Sequence, residues 1–236
     1  MTSGRAWEAF WRDTGDEPGE VLWDAAPALT AGVHLALFEP HMTDPALTLV
    51  DLGCGNGTQT LFLGDRFTSV LGVDLSAAAI EHARRQDKAG EARFRELDAT
   101  DEALVAQLHA ELGEANVYMR GVLHQCAPED RQALADSVAE LVGLRGRAFV
   151  VELSEAAGRQ LMELAHRPMG PPPKLRPVLE HDIVPGAVAD AELPEFFRTA
   201  GLTVLASGDL PLTTTEYAPS GERIELPSKW LVLGRS

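Results

Sequence analysis

The chain has 236 residues, of which 36 are acidic and 20 basic, giving a formal net charge of −16. This length fits one α/β domain, and the negative charge disfavours nucleic acids and anionic membrane surfaces as partners. The start of the chain has no apolar signal core, and no stretch approaches the apolar length of a membrane span. We therefore expect a soluble, cytoplasmic protein that does not bind membranes.

Cysteines and histidines suggest neither a disulfide framework nor a metal site. The chain has two cysteines, Cys54 and Cys126, too few for a stabilising set of disulfides. Its seven histidines fall into no spacing typical of metal ligands. We predict that no metal is bound.

The first 46 residues precede the predicted sheet. Apolar spacing predicts helices over 6–12 and 27–38, separated by a loop at 13–19. Three tryptophans, Trp7, Trp11 and Trp23, are dense for so short a stretch. We expect a helical lid that covers a bound ligand, with Trp11 and Trp23 in contact with it. The alternative is that these rings only pack the helices onto the sheet.

Residues 49–60 contain a strand, a glycine-rich loop and the start of a helix. The strand ends in Asp51 and is followed by Gly53, Gly55 and Gly57, because glycine suits a turn with positive φ or a close approach to a ligand. The spacing is G-x-G-x-G, whereas the dinucleotide fingerprint is G-x-G-x-x-G. An acid at this strand end suits the ammonium and sulfonium of S-adenosylmethionine.

Two further strand ends carry acids. The run 68–75 ends with Asp74 and Leu75, and Asp74 follows Asp51 at about the ~20-residue offset of a ribose-binding carboxylate. The run 92–97 is followed by Asp98 and Ala99, suited to the adenine amine and a ring nitrogen. The alternative is that Asp51, Asp74 and Asp98 merely cap the following helices.

The second half continues the alternation of strands and helices. Strands are predicted at 116–120 and 147–153, and helices from about 131 to 144 and over 155–166. The proline-rich stretch 167–186, which includes Pro185, excludes a regular helix or central strand. It is predicted to be an insertion over the substrate. A helix at 189–200 and strands at 202–207 and 229–233 complete the chain.

Catalytic candidates follow strands four and five. His124 is suited to general-base work near neutral pH, although a histidine here also occurs without that role. Arg120 stays protonated and is suited to an anionic group of the substrate; a salt bridge to Asp51 or Asp98 is the alternative. Glu152 is a catalytic candidate or a structural acid.

The motifs of residues 45–155 resemble those of the class I S-adenosylmethionine-dependent methyltransferases. The resemblance implies a Rossmann-like α/β fold, with a seven-stranded, mostly parallel sheet, helices on both faces and an antiparallel last strand. It implies S-adenosyl-L-methionine as the cofactor. The predicted cofactor-binding residues are Asp51, Gly53, Cys54, Gly55, Asn56, Gly57, Asp74, Leu75, Asp98, Ala99, Arg120, Trp11 and Trp23.

A narrower resemblance concerns the thiopurine and thiol methyltransferase group. It rests on the segment from Tyr118 to Arg131 and on the aromatic stretch from Trp7 to Trp11. It implies that Arg120 contacts the substrate. Met119 stands where that group has Asp, and the pair His124-Gln125 is more typical of enzymes that methylate oxygen, nitrogen or carbon.

The sequence therefore predicts a methyltransferase that acts on the oxygen, nitrogen, sulfur or carbon of a small molecule. The alternatives are a non-catalytic protein that binds S-adenosylmethionine or S-adenosylhomocysteine, and an NAD-dependent oxidoreductase. We expect a lid segment at 1–46 and a methyltransferase domain at 47–236, in a monomer or homodimer.

Overall fold

The computed structural model describes residues 3–17, 19–184 and 186–235. Pro18 and Pro185, which belong to the predicted loop at 13–19 and to the proline-rich stretch, lie outside the described residues. The helices are α1 (Ser3–Asp13), α2 (Ala31–Phe38), α3 (Thr58–Gly64), α4 (Ala77–Gln86), α5 (Glu102–Leu112), α6 (Arg131–Val142), α7 (Glu155–Ala165), α8 (Arg176–Glu180) and α9 (Leu193–Thr199). The strands are β1 (Leu49–Leu52), β2 (Val70–Asp74), β3 (Arg93–Glu96), β4 (Asn116–Arg120), β5 (Ala148–Leu153), β6 (Thr203–Tyr217) and β7 (Arg223–Gly234).

The strands form one seven-stranded sheet in the order β3-β2-β1-β4-β5-β7-β6. The first five strands of the chain pair in parallel. Strand β7 lies antiparallel between β5 and β6. The predicted Rossmann-like class I fold with an antiparallel last strand is therefore confirmed.

Alternate residues of the central strands pack into separate hydrophobic clusters. Val50, Leu52 and Val117 belong to a cluster with side chains of α5, α6 and α9. Leu49, Tyr118 and Phe149 belong to a second cluster with side chains of α2 and α3. Since successive side chains of a strand point to opposite faces, helices cover both faces of the central sheet. Among the described residues, no helix has both the length and the apolar character needed to cross a membrane.

Two helical segments differ from the sequence prediction. The expected helix at 27–38 is a 3₁₀ turn, Pro27–Leu29, followed by α2, because Thr30 between them leaves the helical region at φ −127° and ψ −95°. The proline-rich stretch does contain a helix, α8, so the prediction of no regular helix was wrong there. Pro177 lies in its first turn, where a missing backbone N–H removes no helical hydrogen bond.

The last two strands are much longer than predicted. Only residues 228–233 of β7 pair with β5, and beyond them β6 and β7 continue as a two-stranded extension in which Pro211 lies opposite Pro227. Prolines are rare inside sheets, which is why the sequence pattern stopped short of this hairpin. Its distal half extends past the end of β5 and forms a wall of the site described next.

Candidate active site

A cavity of about 980 Å³ lies at the carboxyl edge of the parallel strands. Each parallel strand delivers residues to it at the point where the strand ends. They include Gly53 to Asn56 after β1, Asp74 and Leu75 after β2, Asp98 and Ala99 after β3, Arg120 to Val122 after β4, and Leu153 and Ser154 after β5. The position is the one at which open α/β sheets bind ligands.

The glycine loop is held in a conformation that favours glycine. Gly53, Gly55 and Gly57 have φ values of 77°, 54° and 79°, in the left-handed region. A Cβ on Gly55 would lie 2.8 Å from the Trp11 ring, and one on Gly57 would lie 2.9 Å from Ala83. Gly53 and Gly55 line the cavity, whereas Gly57 is not among the lining residues and instead lets the start of α3 lie close to Ala83 and Phe94.

Asp51 lies beneath the loop. Its side chain is buried and accepts a hydrogen bond of 2.6 Å from the Thr60 hydroxyl. Burial raises the pKa of Asp51 to about 6, an effect that Thr60 and the charge of Arg120 partly offset. Asp51 is not among the cavity-lining residues, so the structure separates it from Asp74, which does line the cavity.

Asp74 connects the first two strand ends. One carboxylate oxygen accepts from the Gly55 N–H at 2.9 Å and the other from the Ser76 N–H at 2.9 Å. Burial raises the pKa of Asp74. The carboxylate thereby fixes the glycine loop and still faces the cavity.

Asp98 follows β3 at the cavity wall. It accepts from the backbone N–H and the hydroxyl of Thr100, at 2.9 and 2.7 Å. The alternative that the three strand-end acids cap helices is wrong, because the N-cap positions of α3, α4 and α5 are occupied by Gly57, Ser76 and Asp101.

The N-terminal tryptophans lie over the glycine loop. Trp7, Trp11 and Trp23 all line the cavity. They also contact one another edge-on, with ring centroids 5.4 Å apart for Trp7 and Trp23 and 6.4 Å apart for Trp11 and Trp23. The rings therefore pack against one another and lie beside the loop, and their contact with a bound ligand stays a prediction.

His124 and Glu152 form a buried pair beside the cavity. The imidazole Nδ1 lies 2.6 Å from one Glu152 carboxylate oxygen, and the backbone N–H groups of Val122 and Leu123 donate to the other at 2.8 and 2.9 Å. Glu152 is fully buried and does not line the cavity, whereas His124 does. With Nδ1–H donating to the carboxylate, Nε2 is the ring nitrogen left for a ligand.

Arg120 lines the cavity and reaches the N-terminal segment. One guanidinium nitrogen donates to the Trp23 carbonyl at 2.9 Å. Within the described part of the chain, no salt bridge joins Arg120 to Asp51 or Asp98, the partners considered from the sequence. Arg120 thus connects the end of β4 to the group formed by Trp7, Trp11 and Trp23, which we call the tryptophan cover.

Several cavity residues carry no signal in the sequence. Asp24 accepts from the side-chain amide of Asn56 at 2.9 Å, and Gln59 donates to the Ala25 carbonyl at 3.0 Å; both line the cavity. These partners are about thirty positions apart in the chain, so no local spacing reveals them. Among the described residues, no group of three or more His, Cys, Asp or Glu side chains is arranged to hold a metal ion.

Comparisons with known proteins agree with this geometry. A family model described as "Methyltransferase domain" matches residues 49–146. A solved S-adenosylmethionine-dependent methyltransferase from Anabaena variabilis is 32% identical and superposes with a TM-score of 0.92, covering 100% of this chain and 96% of that one. No curated protein matched the sequence.

Two more distant structures share the fold. One is a structure described as "Conversion of a Disulfide Bond into a Thioacetal Group during Echinomycin Biosynthesis". It is 20% identical to this chain and superposes with a TM-score of 0.66, covering 100% of this chain and 93% of that one. Magnesium protoporphyrin IX methyltransferase from Synechocystis, with bound S-adenosylhomocysteine, is 18% identical with a TM-score of 0.58, covering 89% and 83%.

The fold and the glycine loop define a class I enzyme, and the chain belongs to the S-adenosylmethionine-dependent methyltransferases. Its cofactor is S-adenosyl-L-methionine. Membership of this family sets aside both the NAD-dependent oxidoreductase and the non-catalytic binding protein.

Proposed function

We propose that this enzyme methylates a small molecule and that His124 takes the proton of the acceptor group. The observation that carries the proposal is the buried His124–Glu152 pair at 2.6 Å, beside the same cavity that Gly53, Gly55 and Asp74 line. A general base must share a cavity with the reacting groups, and His124 satisfies that condition.

The proposed cofactor site uses the lining residues of the first three strand ends. Gly53 and Gly55 line the cavity beside Asp74, so a ligand could approach the backbone of the loop there, while Trp11 occupies the space that a Cβ on Gly55 would need. Asp74 would bind the ribose hydroxyls, and Asp98 with Ala99 the adenine. Cys54, Asn56 and Leu75 would line this site, with Trp11, Trp23 and Arg120 on its far side. Asp51 and Gly57 would act from beneath, by shaping the loop.

When bound, S-adenosylmethionine supplies a methyl group on a positively charged sulfur. The acceptor atom would bond to that methyl carbon as the carbon–sulfur bond breaks with its electron pair left on sulfur, and His124 would take the acceptor's proton at Nε2. Glu152 acts as a positioning residue, because it holds Nδ1–H and therefore the orientation of the ring. Arg120 would act by holding the Trp23 carbonyl, and with it the N-terminal segment, beside the site.

A small acceptor is supported by the chain segments that cover part of the cavity. These are the N-terminal segment and the proline-rich insertion. We propose that the N-terminal segment, residues 1–46, is a lid over the domain of residues 47–236. The N-terminal segment is hydrogen-bonded to the β6–β7 hairpin, because the Thr215 N–H donates to the Leu22 carbonyl at 2.8 Å. It is also hydrogen-bonded to the proline-rich insertion, because the Lys174 ammonium donates to the Gly19 carbonyl at 2.5 Å. A polymer would require an open groove in place of these covering segments.

The first test separates cofactor binding from chemistry. Calorimetry should show that S-adenosylmethionine and S-adenosylhomocysteine bind the wild type, that Asp74→Ala abolishes this binding, and that NAD does not bind. With an acceptor found by screening for S-adenosylhomocysteine release, His124→Gln should lower kcat by about 10²-fold or more and leave the Kd for S-adenosylhomocysteine unchanged.

The matched control is His41→Gln, because His41 does not line the cavity; it should retain full activity. Wild-type kcat in His124→Gln would eliminate the base role. Unchanged cofactor binding in Asp74→Ala would eliminate the proposed ribose contact.

A further inference from the structure

The part of the cavity beyond the glycine loop has apolar walls. It is bounded by α7, by the segment around α8 and by the distal half of the β6–β7 hairpin. Its apolar lining residues include Leu153, Leu161, Leu175, Val178, Leu212 and Leu226. We call this part the acceptor chamber. Many of these side chains form one hydrophobic cluster with Trp7, Trp23 and Phe10.

The polar side chains of the acceptor chamber are already bonded within the protein. The Thr214 hydroxyl donates to the Ile224 carbonyl at 2.6 Å, and the Ser154 hydroxyl donates to the Pro227 carbonyl at 3.2 Å. The Glu155 carboxylate accepts from the Asp190 N–H at 3.1 Å. A polar ligand body would lose its water here and gain few hydrogen bonds in return.

The charges around the cavity disfavour an anionic ligand body. Among the described residues that line it, Arg120 is the one lysine or arginine, and it donates to the Trp23 carbonyl. The lining carboxylates are Asp24, Asp74, Asp98, Glu129, Asp130 and Glu155. Phosphate or sulfonate groups would therefore be repelled.

Apolar residues also mark an exposed side of the chamber. Gly158, Leu161, Met162 and Ala165 line it from α7, at the spacing of one helix face. Met162 is 58% exposed, and Val184, which follows α8 in the chain and also lines the cavity, is 65% exposed. Exposed apolar residues at a cavity are typical of an entrance for apolar ligands.

We propose that the methyl acceptor is an uncharged molecule with an apolar, ring-sized body that packs between α7, α8 and the hairpin, and that residue 158 limits its size. This inference rests on the proposed function. The reacting group points toward His124, and the body is recognised by shape and burial of apolar area.

Gly158 offers a direct test of the chamber. A Cβ built on it meets nothing within 4 Å, and its φ is not in the left-handed region. A phenylalanine at this position therefore has space on the helix face that lines the chamber, and the helix loses an unfavourable glycine. Gly64 in α3 is the matched control, because its Cβ also meets nothing and it does not line the cavity.

The experiment measures binding by calorimetry, with S-adenosylhomocysteine present, of phenol, naphthol, phenylphenol, isopropyl-naphthol and ring-sulfonated naphthol. Affinity should rise with apolar area in the uncharged series, and the sulfonate should bind at least about tenfold more weakly than its uncharged isopropyl match. Gly158→Phe should weaken phenylphenol binding by about tenfold or more, whereas Gly64→Phe should not. Both variants should bind S-adenosylhomocysteine like the wild type.

The possible failures are distinguishable. If S-adenosylhomocysteine binds but none of the uncharged phenols does, or if the sulfonate binds as well as its match, the apolar acceptor is wrong while the cofactor site stands. If phenylphenol binds Gly158→Phe as tightly as the wild type, residue 158 does not limit size. Failure of S-adenosylhomocysteine to bind the wild type would instead contradict the proposed function and this inference together.

Discussion

Burial shifts the pKa values of two single side chains, Asp51 under the glycine loop and His34 in the core. Asp51 has a pKa raised to about 6 by burial, and burial, with the charge of Arg120, lowers the pKa of His34 to about 3. His34 lies 2.7 Å from the Tyr118 hydroxyl in the core under the sheet. Burial thus makes Asp51 harder to ionise and keeps His34 neutral, and the charge of Arg120 acts on the pKa of both.

Asp51→Asn should stabilise the protein near neutral pH. The pKa of Asp51 is about 6 in the folded chain against an ordinary value of 3.8, a difference equivalent to roughly 3 kcal/mol. Because the folded pKa is raised, folding favours the protonated Asp51. The stability that this protonated carboxyl gives the folded protein is fully present below pH 3.8 and is lost as the pH rises through 6. Denaturant unfolding at several pH values should show the variant more stable at pH 8, with the gain vanishing in acid.

The amide introduced by Asp51→Asn keeps an acceptor for Thr60, so the comparison isolates the charge. Thr60→Val is the contrasting variant, because it removes the hydrogen bond and keeps the carboxylate; it should lose stability at pH 8. A stability gain in Asp51→Asn that is equal at acidic and alkaline pH would contradict the charge explanation.

At the scale of elements, α1 is attached directly to the start of α4. The Glu8 carboxylate accepts from the Ser76 hydroxyl at 2.7 Å and from the Ala78 N–H at 3.1 Å. The same Ser76 hydroxyl accepts from the Ala79 N–H as the N-cap of α4. His82 of α4 bonds the Trp11 carbonyl at 2.8 Å. These contacts place the tryptophan cover beside Asp74.

Loss of Glu8 should loosen that cover. Hydrogen bonds to a charged group contribute about 1.5–3 kcal/mol each, so Glu8→Ala should speed release of S-adenosylhomocysteine by about tenfold or more. Stopped-flow tryptophan fluorescence would follow the release. Glu17→Ala, at an exposed glutamate of the same segment, is the control and should match the wild type. Equal release rates in the wild type and Glu8→Ala would show that α1 does not retain the cofactor.

At the scale of the whole molecule, negative charge is in excess. The neighbouring arginines of α4 do not form a free basic surface. Arg85 pairs with Asp16 at 3.0 Å, and Arg84 donates to the Phe94 carbonyl at 2.8 Å. These two arginines of α4 are therefore occupied by partners from the protein itself. Cytoplasmic location and a monomeric or homodimeric state stay predictions.

The charge distribution predicts that the enzyme does not bind nucleic acids. Phosphate contacts require free lysine and arginine side chains, and a net charge of −16 adds long-range repulsion. Fluorescence anisotropy with labelled transfer RNA and duplex DNA at low salt, about 50 mM, should show no change, since such binding is strongest there. Salt-sensitive binding to either polymer would contradict the small-molecule proposal.

The sequence by itself determined the parallel strands, the glycine loop and the order of strand-end acids. These features are local, because apolar runs, turn glycines and following polar residues are adjacent in the chain. Parallel strands then bring their carboxyl ends to one edge, so the sequence could predict that Asp74, Asp98 and Arg120 lie at the same edge of the sheet. The family followed from the same local pattern.

Only the tertiary structure decided which residues face the cavity. It placed Asp51, Gly57 and Glu152 outside the lining and His124 in it, because burial depends on neighbours distant in sequence. The bond between Asn56 and Asp24, the attachment of Glu8 to Ser76 and the long hairpin all join segments with no shared local signal. The acceptor chamber exists because the N-terminal segment, the proline-rich insertion and the hairpin pack against one another, and sequence spacing carries no information about that packing.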